Sequence, residues 1–208
     1  MQQLQTERPD VEVAVQWKPF LLRPNMPEDG TPKAPDTPDN PRVGARLKAA
    51  GAAAGVNFTG KTDRSPNSSK AHALVKFFES GGEASSSSAD IKIDAQLQDR
   101  LMNVIFRHYF TDGLYPDSAN LTLALREALA SPSSESGPSK EQQEELVRRA
   151  VAYMENPAHQ AAVRAEATEY SRGGVRGVPY FFFDGRPAFS GAQPPSAIKE
   201  TILTVADE

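Results

Sequence analysis

Val11, Val13, Val15 and Trp17 alternate with Glu12, Ala14, Gln16 and Lys18 in "VEVAVQWK". That period of two predicts a strand with one face inward, carried on to Leu22. The residues before it, "MQQLQTERP", read as the tail of a helix and a turn. After it the pattern breaks. Pro24, Pro27, Pro32, Pro35, Pro38 and Pro41 remove backbone donors and exclude helix, so 23–41 is expected to be an extended surface loop.

The period then becomes helical. The alanine-rich stretch Arg42–Ala54 favours a helix closing at Gly55. "KTDRSPNSSKAHALVKFFES" offers Ser and Asn caps before a helix that stops at Gly81–Gly82, and "GGEASSSSAD" reads as a flexible insert. Ile93, Leu97, Leu101, Val104, Ile105 and His108 recur at three- and four-residue steps, the mark of an amphipathic helix. Further helices fit Asn120–Ala130 and Glu141–Met154, the second behind a capping box of Ser139 and Gln142. Another has Asn156 as cap, Pro157 at its first position and Gly173 as stop. "VPYFFF", the turn Asp184–Gly185 and "RPAFSG" predict a β-hairpin, and "PPSAIKETILTVA" a final helix opened by proline. Strands at both ends with helices between them predict one α/β sheet carrying a helical insertion. The phenylalanines of "FFF" are expected in its core.

Composition narrows the chemistry. The 208 residues suffice for one sizeable domain, and their formal charge is −4 with no basic face, so no nucleic-acid partner is expected. The apolar runs are too short to span a bilayer, and the first residues lack the basic start and apolar stretch of a secretion signal. There is no cysteine, which removes disulfides, thiolate metal sites and thiol catalysis from these residues.

His72, His108 and His159 lie far apart without metal-ligand spacing. His72 is either a cleft residue or a packing residue, His108 fits the apolar seam of its helix, and His159 is expected to face solvent. Arg64 and Asn67 either contact a small ligand or form an Asx or Ser turn before a helix. Ser171 and Ser190 have no histidine and acid in a recognisable arrangement.

"VQWKPFLLRPNMP", "AAGAAAGVNF", "PNSSKAHALVKF", "GVPYFFFDGR" and "SGAQPP" occur in this order. As an ordered set they resemble the DsbA-like thioredoxin family, most closely its cytoplasmic FrnE branch. The resemblance runs from about Val11 to the C-terminus. It implies one domain over 1–208, with 11–22 and 175–208 as its thioredoxin-like part and 42–173 as a helical insertion. It also implies a cis proline at Pro179, with Gly177, Val178 and Pro179 holding a substrate peptide or thiol. Asn67 and His72 fall in family-like stretches and join those three as candidate substrate-binding residues.

Members of that family begin with a short strand and a Cys-x-x-Cys turn ahead of the strand matched by Val11–Leu22. Neither has a counterpart here. The chain is therefore expected to lack a central strand and to be inactive as it stands, within a class whose reaction is thiol–disulfide exchange. The resemblance extends to glutathione-dependent isomerases and kappa-type transferases, where a serine replaces the first cysteine and bound glutathione is the thiol. A third alternative is a non-catalytic binding protein. No cofactor is expected apart from glutathione under the second alternative. The partners implied are thiol or disulfide substrates, peptide or glutathione, and the FrnE branch implies a cytoplasmic location.

Overall fold

The computed structural model describes residues 2–79, 96–130 and 138–208. In chain order they form α1 (Gln2–Glu7), β1 (Thr31–Pro32), α2 (Ala45–Ala53), β2 (Arg64–Ser65), α3 (Ser69–Glu79), α4 (Leu97–Arg107) and a π-helical turn (His108–Asp112). These are followed by α5 (Ser118–Ala130), α6 (Lys140–Glu155), α7 (Pro157–Arg172), β3 (Tyr180–Phe183), β4 (Arg186–Ser190) and α8 (Pro195–Ala206). Gly81–Gly82, the Ser-rich insert and Ile93 lie outside the described residues.

The helical block is the core. α3 packs against α4, α6 and α7, and α5 bridges α4 and α6. Leu74, Leu101, Leu121, Leu125, Leu146, Met154 and Val163 are fully enclosed between them. These residues recur on one face of each helix, so burying them joins the block through the hydrophobic effect rather than through propensity alone. The caps read from the sequence are present. Ser139 Oγ accepts the Gln142 N–H at 3.2 Å while Gln142 Oε1 accepts the Ser139 N–H at 2.8 Å. Asn156 Oδ1 accepts the Ala158 N–H at 2.9 Å. Among the described residues no helix is long and apolar enough to cross a membrane.

Two expectations for the sheet need correcting. Residues 11–22 form no strand, because among the described residues no ladder pairs them. Alternation fixes which side chains share a face, but a strand exists only where a neighbour takes its backbone groups. Instead the segment is tied to helices by side chains. The Trp17 N–H donates to Gln98 Oε1 at 3.2 Å, the Trp17 indole donates to Asp99 Oδ1 at 3.3 Å, and Lys18 pairs with Glu79.

The hairpin β3–β4 is a separate two-stranded ladder, with a bulge between Phe181 and Phe182. Its turn is built on left-handed Asp184 (φ 45°) and Gly185 (φ 77°), the pairing that a two-residue hairpin loop requires. "FFF" is not core. Phe182 is 41 % exposed, Phe181 and Phe183 are half-buried, and α8 contains no buried residue.

The Pro-rich loop is bound more closely than its composition suggested. β1 pairs antiparallel with β2, Thr31 opposite Ser65. The Arg64 guanidinium donates to the Asp29 and Gly30 carbonyls at 2.7 and 3.3 Å.

Candidate functional site

The loop after α7 is fixed on both flanks. Gly173 ends the helix, and buried Val175 donates its N–H to the Tyr170 carbonyl at 3.1 Å. On the far side the Pro179 carbonyl accepts the Gly191 N–H at 2.8 Å, which ties the loop to the end of β4. Between these anchors Gly177 is half-buried, Val178 is 51 % exposed and Pro179 is exposed. The Val178–Pro179 peptide bond is cis. Among the described residues neither the N–H nor the C=O of Val178 has a backbone partner. The loop therefore offers one donor and one acceptor from a backbone held in place, the pair that an extended chain uses to add itself as a strand.

His72 sits on α3 in a polar cluster. It is only partly exposed and meets the backbone of Phe20 in a hydrogen bond, with the Glu166 carboxylate nearby. Burial pulls its imidazole below the ordinary value, and Phe20 and Glu166 recover only part of that loss. One turn along, Lys76 Nζ lies 2.5 Å from Glu166 Oε2 and 3.5 Å from Glu79 Oε2. Burial alone would push Glu79 up, but Lys18 and Lys76 outweigh it and hold the carboxyl low. Residues from α3, α7 and the extended segment thus meet in one alternating charge network. Lys18, Lys76, Glu79 and Glu166 carried no signal in the sequence, because Lys18–Glu79 and Lys76–Glu166 lie 61 and 90 positions apart.

Asn67 is engaged at both ends of its amide. Oδ1 accepts the Ser69 N–H at 3.0 Å, an Asx turn at the start of α3, and Nδ2 donates to the Met26 carbonyl at 2.8 Å. Of the two alternatives for this residue, the Asx turn is the geometry realised. No hydrogen bond or ion pair joins Asn67 or His72 to residues 177–179 among the described residues.

His108 is buried at the start of the π-turn, with Nε2 3.1 Å from Glu127 Oε2. His159 does not simply face solvent. Its ring stacks on Tyr153 at 3.6 Å between centroids, and Nδ1 lies 3.0 Å from the Tyr153 carbonyl, because the Asn156–Pro157 junction folds the start of α7 back on the end of α6. Ser190 is exposed on β4 and Ser171 half-buried at the end of α7. Among the described residues no group of His, Asp and Glu is arranged to hold a metal ion.

A family model described as a DSBA-like thioredoxin domain matches residues 1–203. No curated protein and no solved structure gave a match. The match spans both the extended segment and the hairpin, with the helices between them as the insertion of a thioredoxin-like fold. On that match, over nearly its whole length, the chain belongs to the DSBA-like thioredoxin family.

Proposed function

We propose that this protein is a FrnE-like member of the thiol–disulfide oxidoreductase class that holds a thiol- or disulfide-bearing peptide at Gly177–Val178–Pro179. The observation that carries the proposal is Val178, half exposed with both backbone groups unpartnered on a loop anchored at Val175 and Gly191. An extended substrate pairs its own N–H and C=O with those of Val178 and gains a short antiparallel ladder. The flanking anchors mean that little loop entropy is lost on binding.

Thiol–disulfide exchange begins with attack of a thiolate on a disulfide sulfur. The chain contains no cysteine, so neither the attacking nor the resolving thiol comes from these 208 residues. What they contribute is orientation: a peptide held as a strand presents its sulfur at a fixed height above the loop. His72, through Phe20, and Asn67, through Met26, hold neighbouring segments in place.

Titration of the 15N-labelled chain tests the proposal, using an extended peptide that carries a mixed disulfide and, separately, glutathione. Binding at the loop shifts the amide signals of Gly177, Val178 and Gly191. Val178→Pro, which deletes the donor, abolishes those shifts, while Val178→Thr retains them. Saturable binding of glutathione without the peptide moves the protein to the glutathione-dependent branch. Unshifted loop signals with both ligands overturn the assignment.

A further inference from the structure

One surface of the helical block lies outside this scheme. Trp17, Phe106, Phe110 and Phe58 form a chain of rings with successive centroid separations of 5.9, 6.0 and 5.5 Å. The two middle rings are open to solvent, Phe106 at 41 % and Phe110 at 39 %. The outer two are rooted. Trp17 packs against the helical core and is held by Gln98 and Asp99, while Phe58 lies against Gly51, where a Cβ would approach its ring to 2.5 Å.

The backbone beneath the rings is stitched. Thr59 donates its N–H to the Phe110 carbonyl at 3.0 Å and its hydroxyl to the Thr111 carbonyl at 2.8 Å. The Thr62 hydroxyl donates to the Tyr109 carbonyl, and the Thr111 hydroxyl to the Asn57 carbonyl, both at 2.8 Å. Thr59 and Thr62 take up carbonyls of the π-turn, Thr111 of the turn reaches back to Asn57, and together they fix the rings before anything binds. A contiguous, rigid aromatic strip left open to water is a binding surface in waiting.

Spacing and charge narrow what it binds. In an extended strand alternate side chains on one face repeat every ~6.7 Å, close to the ring steps. A polyproline helix repeats every ~9.3 Å and does not match. At the Phe58 end, Lys48 lines the same open concavity as Phe58, and Lys61 sits beside Gly113 at the close of the π-turn. Both are exposed, and neither has a carboxylate partner among the described residues, whereas Lys18, Lys70, Lys76 and Lys199 are all ion-paired. At the other end Asp99 is already engaged by the Trp17 indole. We propose that the strip docks an extended peptide whose alternate residues are large and apolar and whose acidic end lies against Lys48 and Lys61. This proposal is independent of Val178 and of any thiol.

Trp17 is the only tryptophan, so its emission reports occupancy of the strip directly. The probes are two cysteine-free, tryptophan-free peptides alternating phenylalanine and serine, one ending in two glutamates and the other in two lysines. The glutamate peptide should give a saturable change in emission, bind at least about tenfold more tightly than the lysine peptide, and weaken with salt. Phe106→Ser should abolish binding with the helical circular dichroism retained. Lys48→Glu with Lys61→Glu should reverse the preference between the probes, a result that stands even where Phe106→Ser fails to fold. Equal affinity for both probes overturns the proposal, as does unchanged emission with both. A Trp17 signal that depends on protein concentration without peptide overturns it in favour of a second copy on this face.

Discussion

His72 connects α3 to the Phe20 backbone of the extended segment, and its environment fixes how stability responds to acid. Burial keeps the folded-state imidazole below its ordinary value of 6.5, with Phe20 and Glu166 opposing. Between the two values the unfolded chain binds a proton that the folded chain refuses. The contribution is therefore complete above about pH 6.5 and is lost as the pH falls from there through the folded-state value. Urea unfolding from pH 7.5 to 5 should show stability falling with acid, and His72→Gln, which keeps a donor for Phe20 but cannot titrate, should flatten that slope. An unaltered slope in the variant would remove His72 from the account. Asn67 offers a second separation. Asn67→Ser keeps an oxygen for the Ser69 N–H and loses the donor to Met26 without setting a second acceptor against it, whereas Asn67→Ala loses both. The alanine variant should be less stable than the serine by about 1 kcal/mol in urea unfolding at neutral pH.

Elements differ in how firmly they are held. α3 to α7 share the buried cluster, while β3–β4 is a two-stranded ladder and α8 adds no buried residue. A two-stranded hairpin is marginal by itself. Amide hydrogen exchange should therefore be at least about tenfold faster across 180–190 and 195–206 than in the middle of α3, α5 and α6. Equal protection would show that the hairpin unfolds only with the core. The same division separates what was legible in the sequence from what was not. Helices declare themselves locally, through three- and four-residue steps and through caps such as Ser139–Gln142, and α5, α6 and α7 lie within two residues of where the sequence puts them. The hairpin turn Asp184–Gly185 is equally local. Pairing is not local: nothing in "VEVAVQW" says whether a neighbour is present, and nothing in "TP" or "RS" announces that Thr31 meets Ser65. The candidate loop at 177–179 was legible as a motif, whereas the network of Lys18, Lys76, Glu79 and Glu166 was not, because charges on solvated-looking helix faces acquire partners only when helices pack.

Across the whole molecule the decisive question is whether residues 11–22 behave as part of the helical block. Trp17 reports on this, since it packs on that block and bonds to Gln98 and Asp99 of α4. On heating, its emission should change together with the loss of helical circular dichroism, in one transition. An earlier Trp17 transition would show the segment detaching alone. The Pro-rich loop is tied in by close approach as well as by hydrogen bonds. Gly30 is left-handed at φ 68°, and a Cβ there would lie 2.2 Å from the Ser65 carbonyl oxygen. Gly30→Ala should consequently displace β1 from β2 and lower the thermal midpoint, with α3 to α7 intact by circular dichroism.

The π-turn also constrains how this chain can change length. Residues His108–Asp112 make a wider turn than an α-helix would, and its geometry ends in left-handed Gly113, whose neighbour Leu114 donates back to the His108 carbonyl at 2.8 Å. Removing a single residue between Arg107 and Phe110 would close the wide turn toward an α-turn and shift each later residue of the turn by one position relative to α4. Phe110 would leave the line of Phe106, and Thr59 and Thr62 would face the wrong carbonyls. Substitutions within the turn alter one contact each, whereas a one-codon deletion dismantles the face. Descendants of this sequence can vary the letters of the turn far more freely than their number.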